Sequence, residues 1–486
     1  MPDSNTIRGL HFAVRVRVVA KYLGQAFLIL AALTCVPAAV AAASGNSAVA
    51  LRYFGVILLF SLYGALTVRL RAAPNMQRNE ALVITALVFT LSACALSFPI
   101  MGYGIPFVDA FFEAVSGVTT TGLSTLASVE DRPASFLFAR AWMQWVGGLG
   151  VLALVLALLM EPGIAAKRLG SDERVDIAGG TRSHVRRVAL VYLVITIIGL
   201  LALLAVGESL LDAIVYTLTS VSTGGFANHD ASLAGIASMP ARGLITLLSL
   251  AGAISFSWYY LGYYRHASSL LREPQFRSLI VVCTVTVIVL FGFMSLEHPG
   301  QLTDNLANAA LTGISAQTTT GFSSLPLAEL DSGSKLTLIV SMFIGGELGS
   351  TSGGLKVLRL LILLSLVRLL VQQAAIPPSS RVVATLDGTP LQPAEINTVI
   401  TLLVVYLLVI LFSWAAFLVY GHAPLDALFE VVSALATAGL SVGVVSATLE
   451  PALKAVLCMD MLMGRVEVIA FLVLLYPRTW LGRRRG

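Results

Sequence analysis

The chain has 486 residues, of which 57% are hydrophobic and only 12% are charged, and its formal net charge is +5. Its mean hydropathy of +0.87 excludes a soluble protein whose apolar residues only fill a core. Apolar runs of about 20 residues, the length that crosses a ~30 Å hydrocarbon layer, recur along the chain. They predict an all-α polytopic membrane protein with ten spans, the eighth abnormally long, at residues 22–43, 51–68, 80–100, 138–161, 188–206, 240–262, 278–296, 336–371, 396–420 and 452–477.

The first apolar run follows a basic segment that contains Arg8, Arg15, Arg17 and Lys21, and small residues come after it. Secretory signal peptides share this order, but their apolar region is only about 7 to 15 residues long. We therefore expect the run to be retained as the first membrane span.

The basic residues predict the orientation of the chain. If the N-terminus lies inside, most of the 31 Lys and Arg residues fall on the inner side, including those of the segment 167–187 and the tail Arg483–Arg485. This bias is typical of loops that face the cytoplasm, so both termini are expected there. The net positive charge then reflects topology, and no nucleic-acid partner is expected.

Four short segments share the pattern [Ser/Thr]-x-x-x-Thr-x-Gly-[Leu/Phe]: Ser116–Leu123, Thr219–Phe226, Ser315–Phe322 and Ser433–Leu440. All four fall on the predicted outer side, and two spans separate each from the next. Units that enter the membrane the same way round are parallel repeats about an axis normal to the membrane. The chain therefore divides into an N-terminal pair of spans at 1–79 and four repeats in a pseudo-fourfold arrangement at 80–182, 183–276, 277–394 and 395–486.

A short helix is predicted before each of these segments. Thirteen residues before the glycines lie Asp109, Asp212, Asn308 and Asp426, and Asp and Asn are favoured helix N-caps. In the third unit Asp304 is a second candidate for the cap. The roughly ten residues that follow would form a helix of about 15 Å, too short to cross the bilayer. Each unit should therefore enter the membrane and turn back.

The predicted geometry favours a cation on the axis. The C-terminus of each short helix carries partial negative charge near the membrane centre. The returning backbone is tolerated at that depth only where it is buried or lines a watery path. Glycine permits angles that turn carbonyl oxygens toward the axis, where four strands can replace the water shell of an ion, and the first threonines could add a ring of hydroxyls. The candidate ligands are Thr120, Thr121, Gly122, Leu123, Thr223, Gly224, Gly225, Phe226, Thr319, Thr320, Gly321, Phe322, Thr437, Ala438, Gly439 and Leu440.

The eighth span contains five glycines and three hydroxyl residues between 345 and 356. Each glycine costs about 1 kcal/mol relative to Ala in a helix, which argues against a continuous helix here. A flexible intramembrane loop below the filter, acting as a gate, is one interpretation, and a rigid kink for helix packing is the other. The candidate gate residues are Gly345, Gly346, Glu347, Gly349, Ser350, Thr351, Ser352, Gly353, Gly354 and Lys356, together with Arg465 in the last span.

Glu347 and Arg465 are charges within apolar spans. A charge at the bilayer centre costs about 2.5 to 3.5 kcal/mol, so it normally faces a cavity or a partner. Arg465 could form a barrier to cations below the filter or a structural pair with a carboxylate such as Glu467. Because Glu347 and Arg465 carry opposite charges, a further hypothesis is that these two residues pair with each other.

Acidic residues also flank the four segments. Glu113 and Glu430 occupy matching places on the first and fourth short helices, and His229 and Asp230 follow the second segment. They could form an outer vestibule that concentrates cations or a plain solvated rim.

The chain resembles the Trk/Ktr/HKT superfamily of potassium transporters, and within it the bacterial TrkH-type membrane subunits. The resemblance rests on the four segments, the extra N-terminal pair of spans, the interrupted eighth span, Gln144–Gly148 and Met463–Arg465. It implies potassium uptake across a bacterial inner membrane through four units that resemble the pore-forming part of a potassium channel. In that family a glycine at the position of Gly122 is associated with potassium preference, whereas a serine there accompanies sodium transport in some plant relatives.

The resemblance also implies roles and partners. The loop after Gly345 would act as the gate, and Arg465 would match a pore-facing arginine, while Glu347-Leu348 departs from the small residues expected there. The chain would form a homodimer in the lipid membrane, and a TrkA-like cytosolic ring of nucleotide-binding subunits would dock on the inner loops near 162–187, 263–277 and 372–395. Potassium would be the substrate, with no cofactor in this chain.

Two other classes of function compete with a gated pore. A secondary carrier that couples potassium to sodium or protons would need a second ion site and alternating access, and the sequence does not separate it from a pore. A membrane enzyme would need catalytic His, Asp or Glu residues clustered at one depth, and the sequence has no such cluster. We therefore expect a transporter, not an enzyme.

Overall fold

The fold was analysed in a computed structural model, which describes residues 13–72, 76–159, 180–259, 273–375 and 383–481, without the side chains of 151, 153–159 and 180–184. Most of the predicted inner loop 162–187, parts of the other two inner loops, Arg8 and the arginine tail lie outside these ranges. The described part is almost entirely helical. Its one sheet is a hairpin of two-residue strands, β1 (Thr385–Leu386) and β2 (Thr389–Pro390).

Two long helices precede the repeats. α1 (Val16–Ala43) and α2 (Ser47–Val68) pack along each other, and Phe27 stacks on Phe60 with ring centroids 4.6 Å apart. Both helices also contact α3 (Arg78–Met101), the first helix of the first repeat. The extra pair predicted from the sequence therefore lies against one unit of the four.

Each repeat consists of a long first helix, a short helix and a second span. The first helices are α3, α6 (Gly180–Val206), α9 (Pro274–Glu297) and α13 (Pro393–Val419). The short helices are α4 (Phe107–Val118), α7 (Leu210–Val221), α10 (Leu302–Gln317) and α14 (Pro424–Leu435). The second spans are α5 (Ala134–Leu159), α8 (Met239–Ala253), α11 (Ser332–Ile344) with α12 (Val357–Ala374), and α15 (Pro451–Arg465) with α16 (Val468–Leu475), after which α17 (Pro477–Trp480) ends the described chain.

The second spans are less regular than the sequence predicts. Seven helices of the described residues are long and apolar enough to cross a membrane: α1, α2, α3, α6, α9, α12 and α13. The interruption predicted in the eighth span lies between α11 and α12. Two further breaks were not predicted, one at Ile254 and Ser255 after α8 and one at Val466 and Glu467, where Glu467 has a φ of +60°. Only α5 runs through as one helix.

The four repeats close into a ring in chain order. α5 of the first unit packs on α7 of the second, α8 on α10, and α11 on α14. α15 of the fourth unit then packs on α4 of the first. Each second span thus supports the short helix of the next unit, which places the four short helices around one axis.

The predicted caps of the short helices were wrong by one turn. Asp109, Asp212 and Asp426 are the third residues of α4, α7 and α14, and Asn308 lies inside the longer α10, whose third residue is Asp304. A carboxylate in the first turn still interacts favourably with the helix dipole. The carboxylate of Asp109 also bonds to residues outside its own helix, since it accepts from Lys454 Nζ at 2.6 Å and from Thr125 Oγ1 at 2.7 Å.

Candidate ion filter and intramembrane loop

The four Thr-x-Gly segments have one backbone conformation. Their first threonines have φ of +49° to +54° and their glycines +78° to +95°, while the residue between and the residue after have negative φ. Alternating left- and right-handed residues turn successive amides to one side of a strand and successive carbonyls to the other. The amides face back toward the short helix, because Gly122 N donates to Ser116 Oγ at 3.0 Å. The carbonyl oxygens before the glycines lie toward the neighbouring unit, whereas the carbonyl of Leu440 accepts from Ser433 Oγ at 2.6 Å and faces back toward its short helix.

The segments lie close enough to exclude side chains between them. A Cβ on Gly122 would overlap the carbonyl oxygen of Gly224, and the same holds for each glycine and the next unit. The pairs are Gly225 with Thr320, Gly321 with Ala438, and Gly439 with Thr121, which returns to the first unit. Four carbonyl oxygens from equivalent positions thus form a closed ring, in the same chain order as the helices.

Two buried carboxylates bond to the residues that follow the first and fourth Thr-x-Gly segments. Glu113 bonds Arg140 Nε at 2.9 Å and also accepts from Ser124 Oγ, and Glu430 Oε1 accepts from Ser441 Oγ at 2.7 Å and Val442 N at 2.9 Å. Both are 0% exposed, so they form neither the vestibule nor the solvated rim considered from the sequence. Because both positions precede the filter glycine by nine residues, they hold equivalent places in two units.

Of the other two residues considered for the rim, Asp230 is exposed and His229 is half-buried. Asp230 accepts from Ser128 Oγ and from Val129 N, both at 2.7 Å, and His229 Nδ1 lies 3.5 Å from a carboxylate oxygen of Glu130. These contacts join the loops that follow the first and second segments, on the side that the sequence predicts to be outer.

Glycines of the second spans let the helices approach the filter closely. A Cβ on Gly147, Gly252 or Gly464 would meet the carbonyl oxygen at the end of the short helix of the same unit. The third unit differs, because Gln317 ends α10 and its Nε2 donates to the carbonyl of Gly345 at 2.6 Å. A side chain thus joins this short helix to the start of the interrupted segment.

The segment from Gly345 to Lys356 is a loop of turns and bends beneath the four Thr-x-Gly segments. Thr351 Oγ1 donates to the carbonyl of Val221 at 3.0 Å, at the end of α7. Gly353 N donates to Thr319 Oγ1 at 2.6 Å, and Gly354 N donates to the carbonyl of Ala436 at 3.1 Å. The loop therefore contacts the inner ends of the second, third and fourth units.

The loop divides the four filter threonines into two pairs. Thr223 Oγ1 bonds Thr351 Oγ1 at 3.4 Å and Thr319 Oγ1 accepts from Gly353 N, whereas the buried hydroxyls of Thr120 and Thr437 have no partner among the described residues. A ring of four equivalent threonine hydroxyls is therefore absent from the described residues with the loop in this position. The backbone carbonyls remain the candidate ligands that the four units share.

Glu347 fills the break in the second unit. Its amide donates to the carbonyl of Ala253 at 3.0 Å, and its Oε2 accepts from the amide of Ser255 at 3.0 Å. Backbone groups freed by a break need partners at this depth. Glu347 therefore anchors the loop to α8, and the hypothesis that it pairs with Arg465 was wrong.

Arg465 is a cation at the inner end of the filter. It is 5% exposed, and its Nη1 donates to the carbonyl of Thr351 at 2.5 Å. Its Nε and Nη2 have no partner among the described residues, and Glu467 pairs with Arg359 instead. Nearby, Lys356 Nζ donates to the carbonyl of Ser352. Two basic side chains thus bond to the loop itself.

Some residues of this site were missed in the sequence. Arg140 bonds Glu113 and lies over the ring of Phe226, 3.8 Å from its centroid, and Gln317 bonds the loop. Both are polar residues in mainly apolar helices, and this was the signal in the sequence that could have identified them.

A helical membrane fold with four carbonyl-lined segments around one axis, and a loop bonded to a buried guanidinium beneath them, defines a cation-transport protein of the membrane. The chain belongs to the TrkH family, described as cation transport proteins, which it matches over residues 54–479. The family resemblance seen in the sequence is therefore confirmed.

Relatives and a solved structure are similar over most of their length. The Trk system potassium uptake protein TrkH of Salmonella typhimurium is 30% identical over 434 residues, covering 84% of this chain and 88% of the relative. The protein TrkI of Halomonas elongata is 28% identical over 477 residues, covering 95% and 96%. The crystal structure of the potassium transporter TrkH from Vibrio parahaemolyticus superposes with a TM-score of 0.85 at 26% identity, over 96% of this chain and 100% of that one.

Proposed function

We propose that this chain takes up potassium across a bacterial inner membrane, through a filter formed by the four Thr-x-Gly segments. The observation that carries the proposal is the closed ring of carbonyl oxygens from Thr121, Gly224, Thr320 and Ala438, each next to a glycine of the preceding unit. Such rings replace the water shell of a bare cation. Relatives named as potassium uptake proteins support potassium as the ion.

Rubidium uptake into vesicles that contain the purified chain tests this function. Uptake should be saturable, should be inhibited by potassium far more than by sodium, and should not need a sodium or proton gradient. A folded protein that takes up no more rubidium than empty vesicles, with and without residues 349–354, would contradict the proposal. A reversal potential that follows the sodium or proton gradient would instead favour the coupled carrier.

The loop from Gly345 to Lys356 acts as the gate. Support comes from its bonds to the inner ends of three units and from the buried guanidinium of Arg465 attached to it. A positive charge under the filter repels cations, so the loop and Arg465 would form one barrier. Movement of the loop would free the hydroxyl of Thr319 and separate that of Thr223 from Thr351.

Substitution of Gly353 by alanine, which adds one methyl group, tests whether the loop is a gate. A Cβ on Gly353 would overlap the carbonyl oxygen of Ala436 and the hydroxyl of Thr437, so Gly353→Ala should push the loop away and raise rubidium flux. Deletion of residues 349–354 should do the same. Gly243→Ala is the control, because a Cβ there meets nothing within 4 Å. Lower flux in folded Gly353→Ala and deletion variants would favour a rigid kink.

The chain also works as part of a larger assembly, as a homodimer with both termini in the cytoplasm and with a nucleotide-binding cytosolic subunit on its inner loops. The names of the relatives, which place them in a Trk system, support further components, and the basic residues of the predicted inner side support the orientation. The homodimer and the nucleotide-binding partner are proposed from the family resemblance. The mass of the purified protein in detergent tests the dimer. Tags accessible only from the cytoplasm test the termini, and copurification of a nucleotide-binding protein tests the partner.

A further inference from the structure

Gln144 connects the first unit to the filter segment of the second. It lies on α5 and is 0% exposed. Its Nε2 donates to the carbonyl oxygen of Gly224 at 2.5 Å, and its Oε1 accepts from the amide of Phe226 at 3.1 Å. Both polar atoms of one side chain thus hold backbone groups on either side of the filter glycine Gly225.

This contact explains why residue 224 is a glycine. Gly224 has a negative φ, like the corresponding residues Thr121, Thr320 and Ala438, so its conformation does not require glycine. A Cβ at residue 224 would overlap the side chain of Gln144. The departure of the second segment from the other three is therefore a packing consequence of Gln144.

The equivalent positions on α8 and α15 lack this contact. The residues three positions before Gly252 and Gly464, equivalent to Gln144 before Gly147, are Ser249 and Met461. Ser249 Oγ donates to Ile245 within its own helix at 3.0 Å, and methionine has no side-chain donor. In the described part of the chain, the junction of the first and second units is thus held in a way that these two junctions are not.

We propose that Gln144 is a positioning residue that sets ion selectivity by tethering the Gly224 carbonyl of the second filter segment, an inference that rests on the proposed filter. Carbonyl oxygens must move inward to coordinate an ion smaller than potassium. A donor that holds the oxygen from outside the ring opposes that movement. The acceptor contact with Phe226 fixes the strand on the other side of the glycine, so the oxygen cannot follow a smaller ion by a shift of the strand.

Replacement by methionine tests the tether, because Gln144→Met keeps the length of the side chain and removes both hydrogen bonds. Rubidium uptake should persist, and the sodium concentration that halves it should fall by about five-fold, the factor that corresponds to one hydrogen bond of ordinary strength. Asn305→Leu is the matched control, since the side-chain amide of Asn305 is also buried and donates to backbone carbonyls, those of Met294 and His298, but these lie at the end of α9 and not in a filter segment. It should leave the sodium-to-rubidium ratio unchanged.

Three outcomes are distinguishable. An unchanged ratio in active Gln144→Met, or an equal change in Asn305→Leu, would overturn the tether, whereas absence of uptake by the parent chain would overturn the proposed filter. If Gln144→Met fails to fold, a comparison of Gly224→Ala with the double variant Gly224→Ala/Gln144→Ala tests the tether instead. The double variant should melt at a higher temperature than Gly224→Ala and show the weakened selectivity, and a double variant that melts no higher would refute the contact.

Discussion

At the scale of residues, the threonines of the proposed filter adopt a conformation that β-branched residues rarely take. Thr120, Thr223, Thr319 and Thr437 all have φ near +50°. The left-handed region costs such a residue roughly 1 to 2 kcal/mol. Four nearly equal φ values at equivalent positions indicate that the surrounding contacts impose this conformation. The strain is therefore a consequence of how the carbonyl oxygens are aligned.

Gly122 tests that alignment. Gly122→Ser should weaken discrimination between rubidium and sodium, because a side chain there overlaps the carbonyl oxygen of Gly224 and the φ of +95° disfavours it. Gly443→Ser is the control, since Gly443 has a φ of +93° but its Cβ position meets nothing within 4 Å. Competition of sodium with rubidium uptake measures the effect. Full selectivity in Gly122→Ser would show that this glycine is not part of the filter.

Residue patterns predicted the glycines of the ring but not their supports. The repeat Thr-x-Gly carries its own signal, because the same backbone angles are needed four times. Gln144 and Gly224 are 80 residues apart in the chain, and Glu113 and Arg140 are 27 apart. Contacts of this kind depend on how helices pack, so a polar residue in an apolar run marks only that a partner exists.

At the scale of elements, the breaks in the second spans and the loop stabilise one another. The sequence predicted the glycine-rich interruption, but the breaks at Ser255 and Glu467 contain neither glycine nor proline. The amide of Ser255 and the carbonyl of Ala253 are satisfied by Glu347, which comes from another unit. Such a break is stable only when the partner is in place, and local propensity does not reveal it.

Substitution of Glu347 should therefore change both the thermal stability of the protein and the position of the gate loop. Glu347→Gln keeps an acceptor for the Ser255 amide, whereas Glu347→Leu leaves that buried donor unpaired at a cost of about 1 to 3 kcal/mol. We expect Glu347→Leu to lower the melting temperature and to raise rubidium flux, and Glu347→Gln to do so much less. Thermal unfolding in detergent and vesicle uptake measure the two effects. Equal behaviour of the two variants would mean that the hydrogen bond to Ser255 is not what holds the loop.

The two carboxylates behind the filter should respond differently to loss of charge. Glu113 pairs with buried Arg140, and removing one partner of a buried pair costs about 3 to 5 kcal/mol. Glu430 accepts hydrogen bonds through Oε1, while its Oε2 has no partner among the described residues. Glu113→Gln should thus lower the melting temperature more than Glu430→Gln, its matched control. The reverse order would show that the Arg140 pair does not stabilise the first unit.

At the scale of the whole molecule, chain order and spatial order coincide around the axis. Ion pairs reinforce two of the junctions, with Lys335 Nζ 2.9 Å from Asp426 and Lys454 Nζ 2.6 Å from Asp109. The second of these closes the ring between the last unit and the first. The two pairs are equivalent, because each joins the fourth residue of a second-span helix, α11 or α15, to the third residue of the short helix of the next unit. The sequence predicted four units and their common direction, because each carries the same segment, but it did not show which residues join one unit to the next.

A ring of converging carbonyl oxygens should depend on its ion for stability. The oxygens of the four segments repel one another without a cation, and an ion that binds only the folded state stabilises it by about 2.7 kcal/mol at 100 times its dissociation constant. We therefore expect the melting temperature of the purified chain to be highest in potassium, lower in sodium and lowest in choline at equal ionic strength. Gly122→Ser should reduce the difference between potassium and sodium. Equal melting temperatures of the parent chain in the three salts would show that the ring binds no cation in the folded protein.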